Sequence, residues 1–184
     1  MNLELTKQIL AISGSLRAAS SNTAILKAAL HLAPDKLEIV LFDGLGDLPH
    51  FNPDLELAPP ASVLEFQKLL QESSAVIISS PEYAHGVPGS LKNALDWVVG
   101  SGEMVEKPTV LFNVAARGAW AQASLRETLT VMMARLLEEA CVDLPLPSRN
   151  STATEIVNHP ESSSIIATAL NALAAILEIQ PNKV

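Results

Sequence analysis

Apolar residues along this chain come in short blocks, separated by Pro, Gly, Asn and Ser, and the blocks alternate between two rhythms. Residues 8–13 (QILAIS) are an apolar run ending in small polar residues, the pattern of a buried strand that stops at a loop. Residues 21–32 (SNTAILKAALHL) then place Ile25, Leu26, Ala29, Leu30 and Leu32 on overlapping helical faces, and Pro34 follows as a stop. The same alternation repeats: strand 37–42 and helix 63–70, strand 75–80 and helix 88–99, strand 109–114 and helix 121–139, strand 142–146 and helix 163–177. Pro88 stands where a first helical turn tolerates proline. The stretch AVIISS at 75–80 shows almost no polar alternation, as expected when helices cover both faces of a parallel sheet.

Strands and helices in strict alternation predict a doubly wound α/β fold, whose ligand sits beyond the carboxyl ends of the strands at a topological switch point. The loops after strands one, three and four are therefore the places to look. With 184 residues and 48% hydrophobic content, one domain spanning 1–184 with a sizeable core is expected. No apolar block reaches the roughly 18 residues that cross a bilayer, which argues against membrane insertion. MNLELTKQILAIS lacks the basic segment, long apolar run and cleavage site of a secretory signal, so a cytoplasmic location is expected.

Charge and thiol content narrow the chemistry. A net charge of -8 argues against a nucleic-acid or anionic-membrane surface, so any anion must be held by local groups. Cys141 is the only cysteine, which excludes an intrachain disulfide and a Cys-based zinc cage, and it reads as a small buried apolar side chain. His31, His50, His85 and His159 are dispersed with no H-x-x-x-H pair, so no metal site is expected. Glu138 and Glu139 read as a solvated helix end rather than an acid and base pair.

The first loop, GSLRAASSN at 14–22, runs from strand one into helix one, where free backbone N–H groups and the helix dipole favour an anion. Ser15, Ser20 and Ser21 offer hydroxyls, Asn22 an amide, and Arg17 a planar fork able to bond two phosphate oxygens. Neither G-x-G-x-x-G nor G-x-x-x-x-G-K-[ST] is present, so a terminal phosphate monoester fits better than a dinucleotide or a triphosphate. From this loop alone a plain helix cap beside a solvated Arg17 is the competing reading.

The second loop carries a longer motif, SPEYAHGVPGSLKNALDW at 80–97. Gly86 and Gly89 are expected to permit tight backbone geometry close to a flat ligand. GSLRAASSN and PEYAHGVPGSLKNALDW together resemble the G-S-x-R-x-x-S-x-N and P-E-Y-N-x-x-x-P-G-x-L-K-N-A-x-D-W motifs of the NADPH-dependent FMN reductase family, which includes azo, quinone and chromate reductases. LPHFNPD at 48–54 adds weaker support. The resemblance implies a flavodoxin-like three-layer sandwich with a five-stranded parallel sheet of order 2-1-3-4-5. By it, Ser15, Arg17, Ser20, Ser21 and Asn22 would hold the FMN phosphate, and Pro81, Glu82, Tyr83, Ala84, His85 and Gly86 would line the isoalloxazine, largely through backbone groups. Ala115 and Arg117 of the third loop would complete the site.

Two positions depart from the family pattern. Ala84 stands where Asn is usual, which removes an amide that could brace the loop, and the third loop reads AARGAW where the family is Gly-rich. Trp120 either shapes the pocket or covers the start of the long helix. Lys92, Asn93, Asp96 and Trp97 are expected to fix their helix and a subunit interface rather than to touch the reaction.

The implied activity is an oxidoreductase in which the flavin carries the chemistry and no side chain is catalytic. FMN would be reduced by NADPH (or NADH) and would then reduce a small-molecule acceptor such as free flavin, a quinone, an azo compound or a metal oxyanion, by a ping-pong route. A homodimer or homotetramer is also implied, with the 121–139 segment as one candidate interface. The rival readings are a flavodoxin-like electron carrier and a binding module that has lost its flavin.

Overall fold

The computed structural model describes residues 6–114 and 118–179. Strands β1 (Lys7–Ser13), β2 (Leu37–Phe42), β3 (Ala75–Ser79) and β4 (Pro108–Val114) are joined by helices α1 (Ser21–Leu32), α2 (Ala61–Glu72) and α3 (Gly89–Asp96). After β4 come α4 (Ala119–Val131), two short strands β5 (Arg135–Leu136) and β6 (Val142–Leu144), and helices α5 (Ala153–Asn158) and α6 (Pro160–Ile179). Among the described residues the named strands pair in parallel, in the order β2-β1-β3-β4-β5, with β6 also on β4.

The unbroken apolar runs follow from burial on both faces. Ile9, Ala11, Ile77, Val110 and Phe112 point into one core with Ile25 and Leu26 of α1 and Ile166, Leu170 and Leu173 of α6. Their neighbours Leu10, Ile12, Val76, Ile78 and Leu111 point the other way, against Val63 and Phe66 of α2, Leu91 and Leu95 of α3, and Leu125 and Leu129 of α4. Each of these side chains except that of Ala11 contributes roughly 1.5–3 kcal/mol by leaving water. Polar alternation would place a charge in one of the two cores.

Helix α6 is longer than the expected 163–177 and, by length and composition, residues 160–178 could span a bilayer, unlike the separate apolar blocks foreseen. Ile166, Leu170 and Leu173 are completely buried at helical spacing, so this apolarity is used in the core. The short α5 ahead of it was not anticipated. It starts in a capping box, in which Thr152 accepts from the Glu155 N–H and Glu155 accepts from the Thr152 N–H.

The largest departure is the segment expected as one helix, 121–139. Helix α4 stops at Val131 because Met133 turns into the left-handed region at φ 58°. The Met133 N–H then bonds the Thr130 carbonyl at 2.9 Å, and the Ala134 N–H bonds the Leu129 carbonyl at 2.9 Å. That is a Schellman ending, with methionine where glycine is usual. The chain runs on into β5, a single 3-10 turn at Glu138–Ala140 and β6, so the fifth sheet position is shared by two short strands. Glu138 therefore lies in that turn, ion-paired with Arg126, rather than at a helix end.

Cys141 fills the break between β5 and β6. Its Sγ accepts a hydrogen bond from the Leu111 N–H of β4 at 3.3 Å, so it is half-buried and partnered rather than simply apolar. Burial pushes the thiol above its ordinary value, opposed by the Leu111 N–H and the nearby Arg126 charge.

Candidate functional site

At the carboxyl end of β1 the chain turns at Gly14, whose N–H bonds the Ser79 carbonyl at 2.8 Å. A Cβ here would lie 2.6 Å from Ser80 Oγ and 3.1 Å from Leu91 Cδ2. The glycine is thus required by the close approach of the loops after β1 and β3. Beyond it the loop is braced by its own hydroxyls: Ser13 Oγ accepts from the Ser15 N–H and Ser15 Oγ from the Arg17 N–H, both at 3.3 Å. Ser20 is the N-cap of α1, accepting from the Thr23 N–H at 3.3 Å.

These bonds leave donors over. Ser15 and Ser20 accept through oxygen in those contacts, which keeps their hydroxyl hydrogens available. Buried Asn22 accepts from Ser79 Oγ at 3.0 Å through Oδ1, and its Nδ2 end has no partner among the described residues. Ser21 is different: its Oγ donates to the Arg149 carbonyl at 2.8 Å. The first turn of α1 holds no acidic residue. Arg17 and Arg149 are in no ion pair among the described residues. All of these except Ser79 line one cavity of about 500 Å³, within the usual range for small-molecule sites.

The loop after β3 forms the opposite wall through Ser80, Pro81, Glu82 and Tyr83. Tyr83 and Gly86 exchange two backbone hydrogen bonds, Tyr83 N–H to Gly86 O at 3.1 Å and Gly86 N–H to Tyr83 O at 2.9 Å. Between them Ala84 (φ 49°) and His85 (φ 60°) are both left-handed, which makes a type I′ turn. The tight geometry expected of Gly86 and Gly89 therefore falls on Ala84 and His85. A Cβ on Gly86 would meet the Tyr83 carbonyl at an ordinary 3.6 Å, and one on Gly89 would meet nothing within 4 Å. Asn suits a left-handed position better than Ala, so the departure at residue 84 costs local backbone energy as well as an amide.

The third wall is built by Asn113 and Val114 at the end of β4 and by Gly118. Gly118 is left-handed at φ 76° and has no side chain with which to cap α4. Glu82 takes that role from the neighbouring loop, its Oε2 accepting from the Ala121 N–H at 2.9 Å. One carboxylate thereby couples the loop after β3 to α4. Asn113 Nδ2 donates to Asp143 Oδ1 at 2.9 Å, and Asn113 Oδ1 accepts from Gln122 Nε2 at 3.3 Å.

Glu82, Asn113 and Gly118 also border a second cavity of about 690 Å³ that extends past His85 and Trp120 to Arg126, Cys141 and Asp143. The rings of His85 and Trp120 stack at 5.6 Å there, so Trp120 shapes this cavity. The expected site residues thus divide. Ser15, Arg17, Ser20, Ser21, Asn22, Pro81, Glu82 and Tyr83 share the first cavity, His85 lines the second, and Ala84 and Gly86 line neither. Ala115 and Arg117 lie outside the described residues. Sequence reasoning missed Ser80, Asn113, Gly118 and Arg149; Asn113 carried a signal, as the last polar residue of a strand whose carboxyl end was already indicated.

The helical part of the long motif has a visible task. Asn93 accepts from the Phe51 N–H at 2.8 Å and donates to the Pro49 carbonyl at 3.0 Å, while Trp97 Nε1 donates to the same carbonyl at 2.7 Å. Phe51 packs edge-on against Trp97 with centroids 5.2 Å apart. These residues fasten the LPHFNPD loop to α3.

A parallel sheet of order β2-β1-β3-β4-β5, with its cavities at the carboxyl ends of β1, β3 and β4, defines a flavodoxin-like α/β protein. Among solved structures, the flavoenzyme NAD(P)H:(acceptor) oxidoreductase FerB from Paracoccus denitrificans superposes with a TM-score of 0.77 at 28% identity, covering 94% of this chain and 98% of that one. A quinone reductase from Pseudomonas putida is 36% identical over 143 residues, 73% of each chain. An NAD(P)H-dependent FMN reductase from Pseudomonas aeruginosa is 35% identical over 131 residues, 68% of this chain and 70% of that one. Residues 8–145 match the model of the NADPH-dependent FMN reductase family, and the chain belongs to that family of oxidoreductases.

Proposed function

We propose that the chain binds FMN across the first cavity and uses it to pass electrons from NADPH or NADH to a small acceptor such as a quinone, free flavin, an azo compound or a metal oxyanion. The observation that carries this reading is the row of unused donors in the phosphate-side wall. Asn22 Nδ2, the Ser15 and Ser20 hydroxyls and the Arg17 guanidinium, which has no ion pair among the described residues, line one cavity that includes the Pro81–Glu82–Tyr83 wall. The bound flavin would supply the acceptance and release of reducing equivalents. This chain's residues would bind and orient it: Arg17, Ser15, Ser20 and Asn22 at the phosphate, and backbone groups of residues 81–83 at the ring.

The two hydrogen bonds that close the turn at 83–86 are made by the Tyr83 N–H and carbonyl themselves, so this end of the loop is held by backbone alone, without side-chain entropy. The adjoining cavity of about 690 Å³ leaves room for nicotinamide and acceptor in turn, which supports ping-pong turnover over a carrier that docks protein partners. Trp120 at the start of α4 is 64% exposed, and Val131 and Met133 at its end are 70% and 59% exposed, apolar side chains that a homodimer or homotetramer could cover.

Stopped-flow reduction of the FMN-loaded protein by NADPH and by NADH, followed by a panel of acceptors, tests the reading. Protein that binds no added FMN rejects it, and FMN binding without reduction by either nicotinamide favours the electron carrier. Arg17→Ala should weaken FMN by about 1.5–3 kcal/mol through loss of charge-assisted bonds.

A further inference from the structure

The geometry points to Arg149 as a second phosphate-binding cation, in the same cavity as Arg17, which gives the site its preference for a phosphorylated flavin. This inference rests on the flavin reading above. Arg149 lines the same cavity as Arg17, Ser15, Ser20 and Asn22, although it lies beyond residues 8–145 that match the family model. It belongs to the connection between β6 and α5, which reaches the mouth of the first loop from the far end of the chain.

That connection is fastened where it meets α1. Ser21 Oγ donates to the Arg149 carbonyl at 2.8 Å, fixing the backbone of Arg149 beside the first turn of α1. On the far side, Ser151 is 3% exposed, accepts from the Ser148 N–H at 2.9 Å and donates to the Ser148 carbonyl at 3.0 Å. The capping box of Thr152 and Glu155 follows directly. The backbone on both sides of Arg149 is therefore set, while its guanidinium has no ion pair among the described residues.

Charge balance gives the second cation its purpose. A phosphate monoester carries about −1.5 to −2 at neutral pH, so Arg17 alone leaves it under-neutralised. The chain as a whole, at net charge -8, repels it. Among the described residues the one carboxylate lining this cavity, Glu82, is turned to the Ala121 N–H. Two guanidiniums from opposite ends of the chain then close on one phosphate, each able to bond two oxygens.

The test is fluorescence titration of flavin-free protein with FMN and with riboflavin, for wild type, Arg149→Ala and Arg149→Lys. Wild type should prefer FMN. Arg149→Ala should weaken FMN by roughly tenfold or more, the size of a lost charge-assisted bond, and leave riboflavin within about twofold. Arg149→Lys, which keeps the charge and loses the fork, should fall between. Because Arg149 is exposed, the flavin-free melting temperature of each variant should match wild type. An FMN-to-riboflavin ratio unchanged in Arg149→Ala overturns the role of Arg149 while leaving the flavin site standing. Wild type that binds neither flavin overturns the flavin reading and this inference with it.

Discussion

Removing the Glu82 carboxylate should destabilise α4 by a calculable amount. Ala121 is the third residue of α4, the position whose N–H an N-cap side chain normally takes, and Gly118 has no side chain to take it. Glu82 Oε2 accepts that N–H at 2.9 Å, and Ala121 is 2% exposed, so water replaces the partner poorly. Loss of a cap costs typically about 1 kcal/mol, and loss of a negative charge at a helix N-terminus about 0.3–1 kcal/mol. Glu82→Ala should therefore cost about 1–2 kcal/mol. Glu82→Gln keeps an acceptor oxygen and should cost only the charge share, about 0.3–1 kcal/mol. Urea unfolding reads the difference: with m near 2 kcal/mol/M, the midpoint of Glu82→Ala should fall by about 0.5–1 M and that of Glu82→Gln by about 0.15–0.5 M. The FMN dissociation constant should rise in the same order, since the loop that carries Glu82 loses its tie to α4. A Glu82→Ala midpoint equal to wild type at unchanged m, or a larger loss in Gln than in Ala, would refute the capping argument.

Other consequences can be measured separately. Met133→Gly should raise stability by about 0.5–1 kcal/mol in denaturant unfolding, because a left-handed residue costs about 1–2 kcal/mol when it has a Cβ, less the extra entropy of glycine. Met133 is 59% exposed, so little packing is lost; a destabilised variant would count against the Schellman ending. The Cys141 thiol, half-buried and pushed up by burial, should react with a thiol reagent at neutral pH more slowly than free cysteine. Reaction as fast as that of free cysteine would mean that the thiol is not held in its half-buried position between β5 and β6. The Glu155 carboxyl is held below its ordinary 4.5, first by the Thr152 N–H and then by the Thr152 hydroxyl. A folded-state value below the unfolded one means the cap is fully present above about pH 4.5 and is lost as pH falls through the folded value. Amide exchange in α5 should accelerate, relative to the intrinsic rate, over that acidic interval and not at pH 6–8.

The doubly wound parallel sheet and the loops after β1, β3 and β4 were legible because burial on both faces writes apolar runs into those strands and because helix α1 has its cap and stop in plain view, whereas the order of the strands came only from the resemblance to the family. The helix expected over 121–139 was misjudged for a physical reason. Its C-terminal turn uses Met133 in a conformation that the sequence marks only when glycine or asparagine is present. The same blindness applied to Ala84 and His85, whose left-handed turn lies beside two glycines that have no steric need to be glycine. Gly14 was the opposite case, a glycine whose necessity depends on Ser80 and Leu91, residues distant in sequence. Arg149 gave no signal at all, since a basic residue in a polar connection has no periodicity to betray it.

The divided fifth position also bears on how the molecule behaves in a crowded solution. A sheet edge is a template for a foreign strand when it offers a long, straight row of free N–H and C=O groups. On this side of the sheet an incoming strand would meet two residues of β5, a helical turn that points its amides elsewhere, and then three residues of β6. Neither piece is long enough to nucleate stable pairing, so the break that Cys141 fills also guards the protein against edge-to-edge aggregation.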